Sequence, residues 1–231
     1  GLYIEEHTVE VMELGEQMRV PPSVIIAYGL HDFIEDHRNK TFYSVDKQNS
    51  RKGNRGKLEQ QIKAMNLESI DRNIILNVAG LMTKPTDEEL KGILEEEEDR
   101  RFVGKIFGSL GGNCWDRKLS TAYKTNDTQR FYSQLGILLD MYSNGNSQEE
   151  PSKNTNIERF IDNQNRNTQR MIWWGKLLDS SIRDYPSSNH IIFDRDKYER
   201  FMDNQFIPRT IEGIEKFNID VRDEHRRYWN L

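Results

Sequence analysis

The chain has 231 residues, a single cysteine and a formal net charge of −5. That length suits one domain with decoration, or a domain plus a small helical extension. The acidic balance argues against bulk electrostatic binding of nucleic acid; the lone Cys114 excludes an intramolecular disulfide and fits a cytoplasmic setting; no apolar run approaches membrane-spanning length.

Periodicity and breakers predict a mostly helical chain. Helices are expected over 5–19 and 23–37, the second opened by Pro21-Pro22-Ser23. A polar, basic loop follows from Asp46 to Lys57, then helices near 58–65 and over 69–82. Pro85 and Thr86 open an acidic helix, with Thr86 as N-cap and Glu89 three residues on. The glycines between Gly104 and Gly112 read as a loop. A helix over 126–141 carries Asp140 at its end, and the polar stretch 143–156, with Pro151, reads as a linker. Residues 157–183 form a long helix. After a break at Pro186, shorter helices cover 194–204 and 208–217. The expected fold is all-α: a core over 1–145 with an insertion at about 45–125, and a helical part over 146–231 packing on the same domain. Gly1 in place of Met reads as a trimmed start or a tag remnant.

The chemistry concentrates in His7, His31-Asp32, Glu35-Asp36 and Asp140, with His7 standing 24 residues before His31. On a helical wheel His31, Asp32, Glu35 and Asp36 fall at about 0°, 100°, 40° and 140°, on one face. Three carboxylates and an imidazole on one face of an apolar helix repel one another unless a cation relieves them. A short helical hairpin brings His7 toward His31. Asp140 closes the set from a distant helix, with Asp127 as the nearest rival. Mixed imidazole and carboxylate ligation suits Mn²⁺, with Fe²⁺ or another transition metal as alternatives.

Elsewhere the plainer readings prevail. Lys47, Arg51, Lys52, Arg55 and Lys57 could clamp a polyphosphate, but a solvated segment is the stronger reading. Trp173 and Trp174 are expected in the core. His37, His190 and His225 are expected at the surface.

His7 and the run IIAYGLHDFIEDH, over residues 25–37, resemble the HD-domain metallohydrolases. More narrowly they are similar to the hydrolase domain of the RelA/SpoT family and its small alarmone hydrolases. LNVAGLMTK at 76–84 resembles that family's segment with a Val-Thr-Lys-like end. Leu138 to Asn144 resembles its Leu-Ala-Asp-Arg-Leu-His-Asn motif, with Met141 for the arginine and Ser143 for the histidine. The resemblance implies that His7, His31, Asp32 and Asp140 are ligands, usually for manganese. It implies that Glu35 and Asp36 activate or orient the attacking water, and that Asn144 meets a phosphorylated nucleotide; Arg51 and Lys52 of the basic segment are candidates for its phosphates by their charge. The implied reaction removes the 3′-pyrophosphate of (p)ppGpp. A nucleotide phosphohydrolase acting on (d)NMP, dNTP or NADPH, and a non-catalytic nucleotide- or partner-binding module, are the alternatives.

Overall fold

The structure is a computed structural model, and it describes residues 2–36, 47–83, 127–146, 157–185 and 191–229. Among these, every regular element is helical, so the all-α expectation holds. The helices are α1 (Leu2–Gln17), α2 (Pro22–Asp36), α3 (Lys47–Ala64), α4 (Ser69–Met82), α5 (Asp127–Asn146), α6 (Ile157–Arg170), α7 (Lys176–Arg183), α8 (Arg195–Phe201), α9 (Ile207–Phe217) and α10 (Asp223–Trp229). π turns at Met171–Gly175 and Met202–Phe206 link α6 to α7 and α8 to α9. The chain divides into two compact units, Pro21–Ile137 and Gly1–Val20 with Leu138–Leu231. Helix α1 groups with the C-terminal helices, and α5 contributes to both units.

In the unit Pro21–Ile137, α2 packs on α4. The Pro21 carbonyl accepts from the Val24 and Ile25 amides (2.9 and 3.1 Å), and Pro22 takes the first helical position, where its missing N–H costs nothing. Val24, Ala27 and Tyr28 of α2 are buried, as are Ile75, Val78, Ala79 and Met82 of α4. Gly136 lets α5 approach closely, since a Cβ there would lie 2.5 Å from Met82 Sδ and 2.6 Å from Tyr28 Cε1. Tyr28 donates its hydroxyl to the Tyr132 carbonyl at 2.8 Å. Burial, then the nearby Tyr132, push the Tyr28 phenol well above its ordinary pKa.

Two expectations change here. Residues 47–57 are helical, within α3, rather than a loop. Lys, Arg and Gln are good helix formers, and together they outweigh the roughly 1 kcal/mol cost of each interior glycine. Asp140 lies inside α5, not at its end, because the helix runs on to Asn146. The acidic helix after Pro85, the glycine loop, Cys114, His37, His190 and most of the linker lie outside the described residues.

In the other unit, α1 ends on Arg19 at φ 55°, and the Val20 amide reaches back to the Gly15 carbonyl at 3.3 Å. This 6→1 closure satisfies the orphan carbonyls of the last turn. Asn218 ends α9 the same way at φ 48°, with the Ile219 amide on the Ile214 carbonyl at 3.1 Å. The two helices expected over 194–204 and 208–217 are joined, because the backbone stays helical through the π turn before Pro208. A widened turn makes room where the proline ring would meet the preceding carbonyl and its missing N–H would break a bond. Tyr142, Trp174, Phe201, Phe206 and Trp229 form the aromatic core. Gly175 presses against Phe206, where a Cβ would lie 2.7 Å from the ring. His225 is buried rather than exposed: its ring lies 4.3 Å from that of Trp173, whose π face shelters it. Trp174 is buried as expected, while Trp173 is half-exposed and also carries the Arg222 guanidinium at 4.9 Å.

Asp179 ties α10 to α7 and α8. Buried in the core, it accepts from Tyr198 Oη at 2.7 Å, from Tyr228 Oη and from Arg183 Nε at 2.9 Å. Burial first, and then the Asp179 charge, raise both tyrosine pKa values. A group whose pKa rises on folding contributes stability that is fully present below its unfolded value and is lost as pH climbs toward the folded one. With an unfolded tyrosine near pH 10, each of the two should cost about 2 kcal/mol of stability between pH 9.5 and 11.5. Urea denaturation at those two pH values checks this. Tyr198→Phe should remove one tyrosine's share of the dependence, and an equal slope in wild type and variant would refute the assignment.

Candidate metal centre

Two histidine–carboxylate pairs carry the candidate chemistry, one in each compact unit. The first is built on α2. His31 is wholly buried, and its Nδ1 lies 2.6 Å from the carbonyl of Tyr28, one turn earlier. A carbonyl only accepts, so Nδ1 carries the proton. In the neutral imidazole, Nε2 then presents its lone pair. That nitrogen stands 3.2 Å from Asp32 Oδ1. Two electron pairs face each other at this distance unless a positive charge sits with them. The charge can be a proton on Nε2 or a metal cation. Thr83, at the end of α4, donates its hydroxyl to Ala79 O at 2.8 Å and lies 3.2 Å from the His31 carbonyl, so it braces the helix at the ligand-bearing turn. The Asp32 side chain keeps 18% of its surface exposed, so the pair is reached from solvent.

The second pair joins α1 to α5 within the other unit. His7 Nε2 lies 2.7 Å from Asp140 Oδ1, and both residues are buried. His7 Nδ1 lies 2.8 Å from Ser143 Oγ. The serine hydrogen is directed to Glu10 Oε2 at 2.5 Å, since a carboxylate can only accept. Ser143 Oγ therefore accepts from His7 Nδ1–H, and Nε2 again meets a carboxylate through a proton or a metal cation. Asn144 Nδ2 donates to Asp140 Oδ1 and to the Asp140 carbonyl, both at 2.9 Å. It holds the carboxylate in its rotamer. Donation from the far ring nitrogen to a backbone or side-chain oxygen is the support that metal-bound histidines ordinarily have. Both pairs have it, so the residues present fit a divalent ion.

The structure brings His7, Asp140 and Asn144 together in one unit and His31 with Asp32 in the other. Glu35 and Asp36 occupy the last turn of α2, one turn beyond His31 and Asp32. Their side chains lie outside the described residues, as do those of Arg51 and Lys52 on α3 and that of the rival Asp127. Sequence reasoning missed Glu10, Ser143 and Thr83. Glu10 is three residues after His7, and Ser143 three after Asp140, so helical spacing placed each beside a ligand candidate. Ser143, a departure from the histidine of the resembling motif, does the work of orienting His7.

Among the described residues, the fold is all-helical and carries two histidine–carboxylate pairs, one buried and one open to solvent at Asp32. No protein-family model, no curated protein and no solved structure matches the chain.

Proposed function

We propose that this chain is a metal-dependent phosphohydrolase, with His7, His31, Asp32 and Asp140, the ligand set that the resemblance implies, holding one divalent ion. The observation that carries this reading is the repeated arrangement in which Nδ1 is committed to an oxygen and Nε2 faces a carboxylate. That both pairs serve the same ion is part of the proposal. Manganese is the expected ion, by resemblance. When bound, the ion supplies Lewis acidity, lowering the pKa of water and neutralising phosphoryl charge.

The chain's own residues have distinct tasks. Asn144 and Ser143 hold Asp140 and His7 in register. Glu35 and Asp36, one turn along the His31-Asp32 helix, accept or orient the proton of the attacking water. Arg51 and Lys52 on α3 supply charge for the phosphates. The substrate class that the HDFIED run favours is (p)ppGpp, cleaved at the 3′-pyrophosphate to give GDP or GTP and pyrophosphate.

Purified protein should take up about one Mn²⁺ per chain and release protons as it does so, because metal and proton compete for Nε2. Incubation with ppGpp and Mn²⁺ should give GDP and pyrophosphate, and a chelator should abolish the reaction. Turnover of dNTP, (d)NMP or NADPH in place of ppGpp would move the chain to a different phosphohydrolase class. Metal uptake without turnover of any would mark a binding module. A protein that takes up no Mn²⁺ would sink the reading.

A further inference from the structure

A cleft in the unit formed by residues 1–20 and 138–231 is lined by none of the residues of the histidine pairs. One wall is α9, where Arg209, Glu212 and Lys216 repeat at i, i+3 and i+7 on one face. The facing wall is α6, with Gln164 and Asn167. The two helices touch at Gly213, where a Cβ would lie 2.5 Å from Thr168 Oγ1. That contact forms the waist from which the walls open. The cavity measures about 70 Å³, room for roughly five water-sized groups and hence for one phosphoryl group.

The cleft's chemistry is that of an anion receptor with a hydroxyl acceptor. Arg209 is pre-set: its Nη2 donates to Gly145 O at 2.6 Å, and its guanidinium lies 5.7 Å from the Tyr142 ring centre. Lys216 Nζ donates to Gln164 Oε1 at 3.1 Å and lies 5.4 Å from the Phe217 ring centre. The lysine's contacts are thus to a neutral amide and a ring. Two cations face one carboxylate, Glu212, and the Asn167 amide adds a neutral polar group. A planar guanidinium held in place and a nearby ammonium suit a phosphate better than a single point charge does. Glu212 repels a bare anion but accepts from a sugar hydroxyl.

We infer that this cleft binds a phosphate monoester of a hydroxyl-bearing small molecule, such as a nucleotide or sugar phosphate, with Arg209 and Lys216 on the phosphate and Glu212 on a hydroxyl. The inference does not rest on the metal reading, so its test is run on metal-free protein in chelator. Calorimetry with GMP, inorganic phosphate and guanosine supplies the probes. GMP should bind at least about tenfold more tightly than guanosine. Lys216→Gln should weaken GMP about tenfold with an unchanged melting temperature. Glu212→Gln should tighten inorganic phosphate and weaken the preference for GMP over it. Equal binding of guanosine and GMP, or an indifferent Lys216→Gln, would each overturn the assignment. If inorganic phosphate binds as tightly as GMP, the monoester assignment fails and only a free-anion site is left.

Discussion

Asp140→Asn should lose Mn²⁺ affinity by about 100-fold or more, since altering even a supporting partner of a metal ligand costs 10- to 100-fold. The substitution keeps the side-chain shape and an oxygen for Asn144 while removing the negative charge that faces His7 Nε2 at 2.7 Å. Asp140→Ala goes further. It removes the partner of a buried imidazole and leaves Asn144 Nδ2 without its side-chain acceptor, so the metal-free protein should lose about 3 kcal/mol of stability, the scale for breaking a buried pair. Asp127→Ala should change neither property, because the opening residue of α5 is more than three turns from Asp140. Calorimetric titration with Mn²⁺ and urea denaturation in chelator read the two effects separately. Wild-type affinity in Asp140→Asn, or loss of metal in Asp127→Ala, would show that the fourth ligand has been misplaced.

Glu35→Gln and Asp36→Asn should each keep the metal and the fold yet lose about 100-fold in turnover, the usual scale for removing a general base. Both positions lie in the last turn of α2, one turn past His31 and Asp32. A carboxylate there can take a proton without serving as a ligand. The loss should fall on kcat with little change in KM, because proton transfer belongs to the transition state. The melting temperature should hold or rise, since one repelling carboxylate leaves a crowded acidic face. Steady-state kinetics beside metal analysis separates the outcomes. If both variants turn over at the wild-type rate with metal bound, the pair is only helix surface and the water-activation mechanism falls.

The sequence by itself determined the elements whose signals are local. Pro21-Pro22 opens α2, and the apolar run behind His31 predicts a buried face; Val24, Ala27 and Tyr28 are buried there. Helix α4 falls on the expected span, Ser69–Met82. Such elements rest on i, i+3 and i+4 spacing and on the conformational limits of proline, which any short window contains. The His31–Asp32 adjacency was likewise readable, because neighbours on one helix stay close whatever the rest of the chain does.

The tertiary structure decided what depends on residues far apart in the chain. The sequence predicts separate helices over 194–204 and 208–217, yet a π turn joins them, and Phe206 from that turn sits against Gly175 in the aromatic core. His225 looked polar and exposed, yet folding lays it on Trp173. Ser143 looked like a loss from a motif, and becomes the acceptor for His7 Nδ1 only because the fold closes a separation of 136 residues. No local window contains such a pair. Closing so long a loop costs chain entropy that only burial elsewhere offsets, so packing of the apolar faces decides which distant polar groups meet.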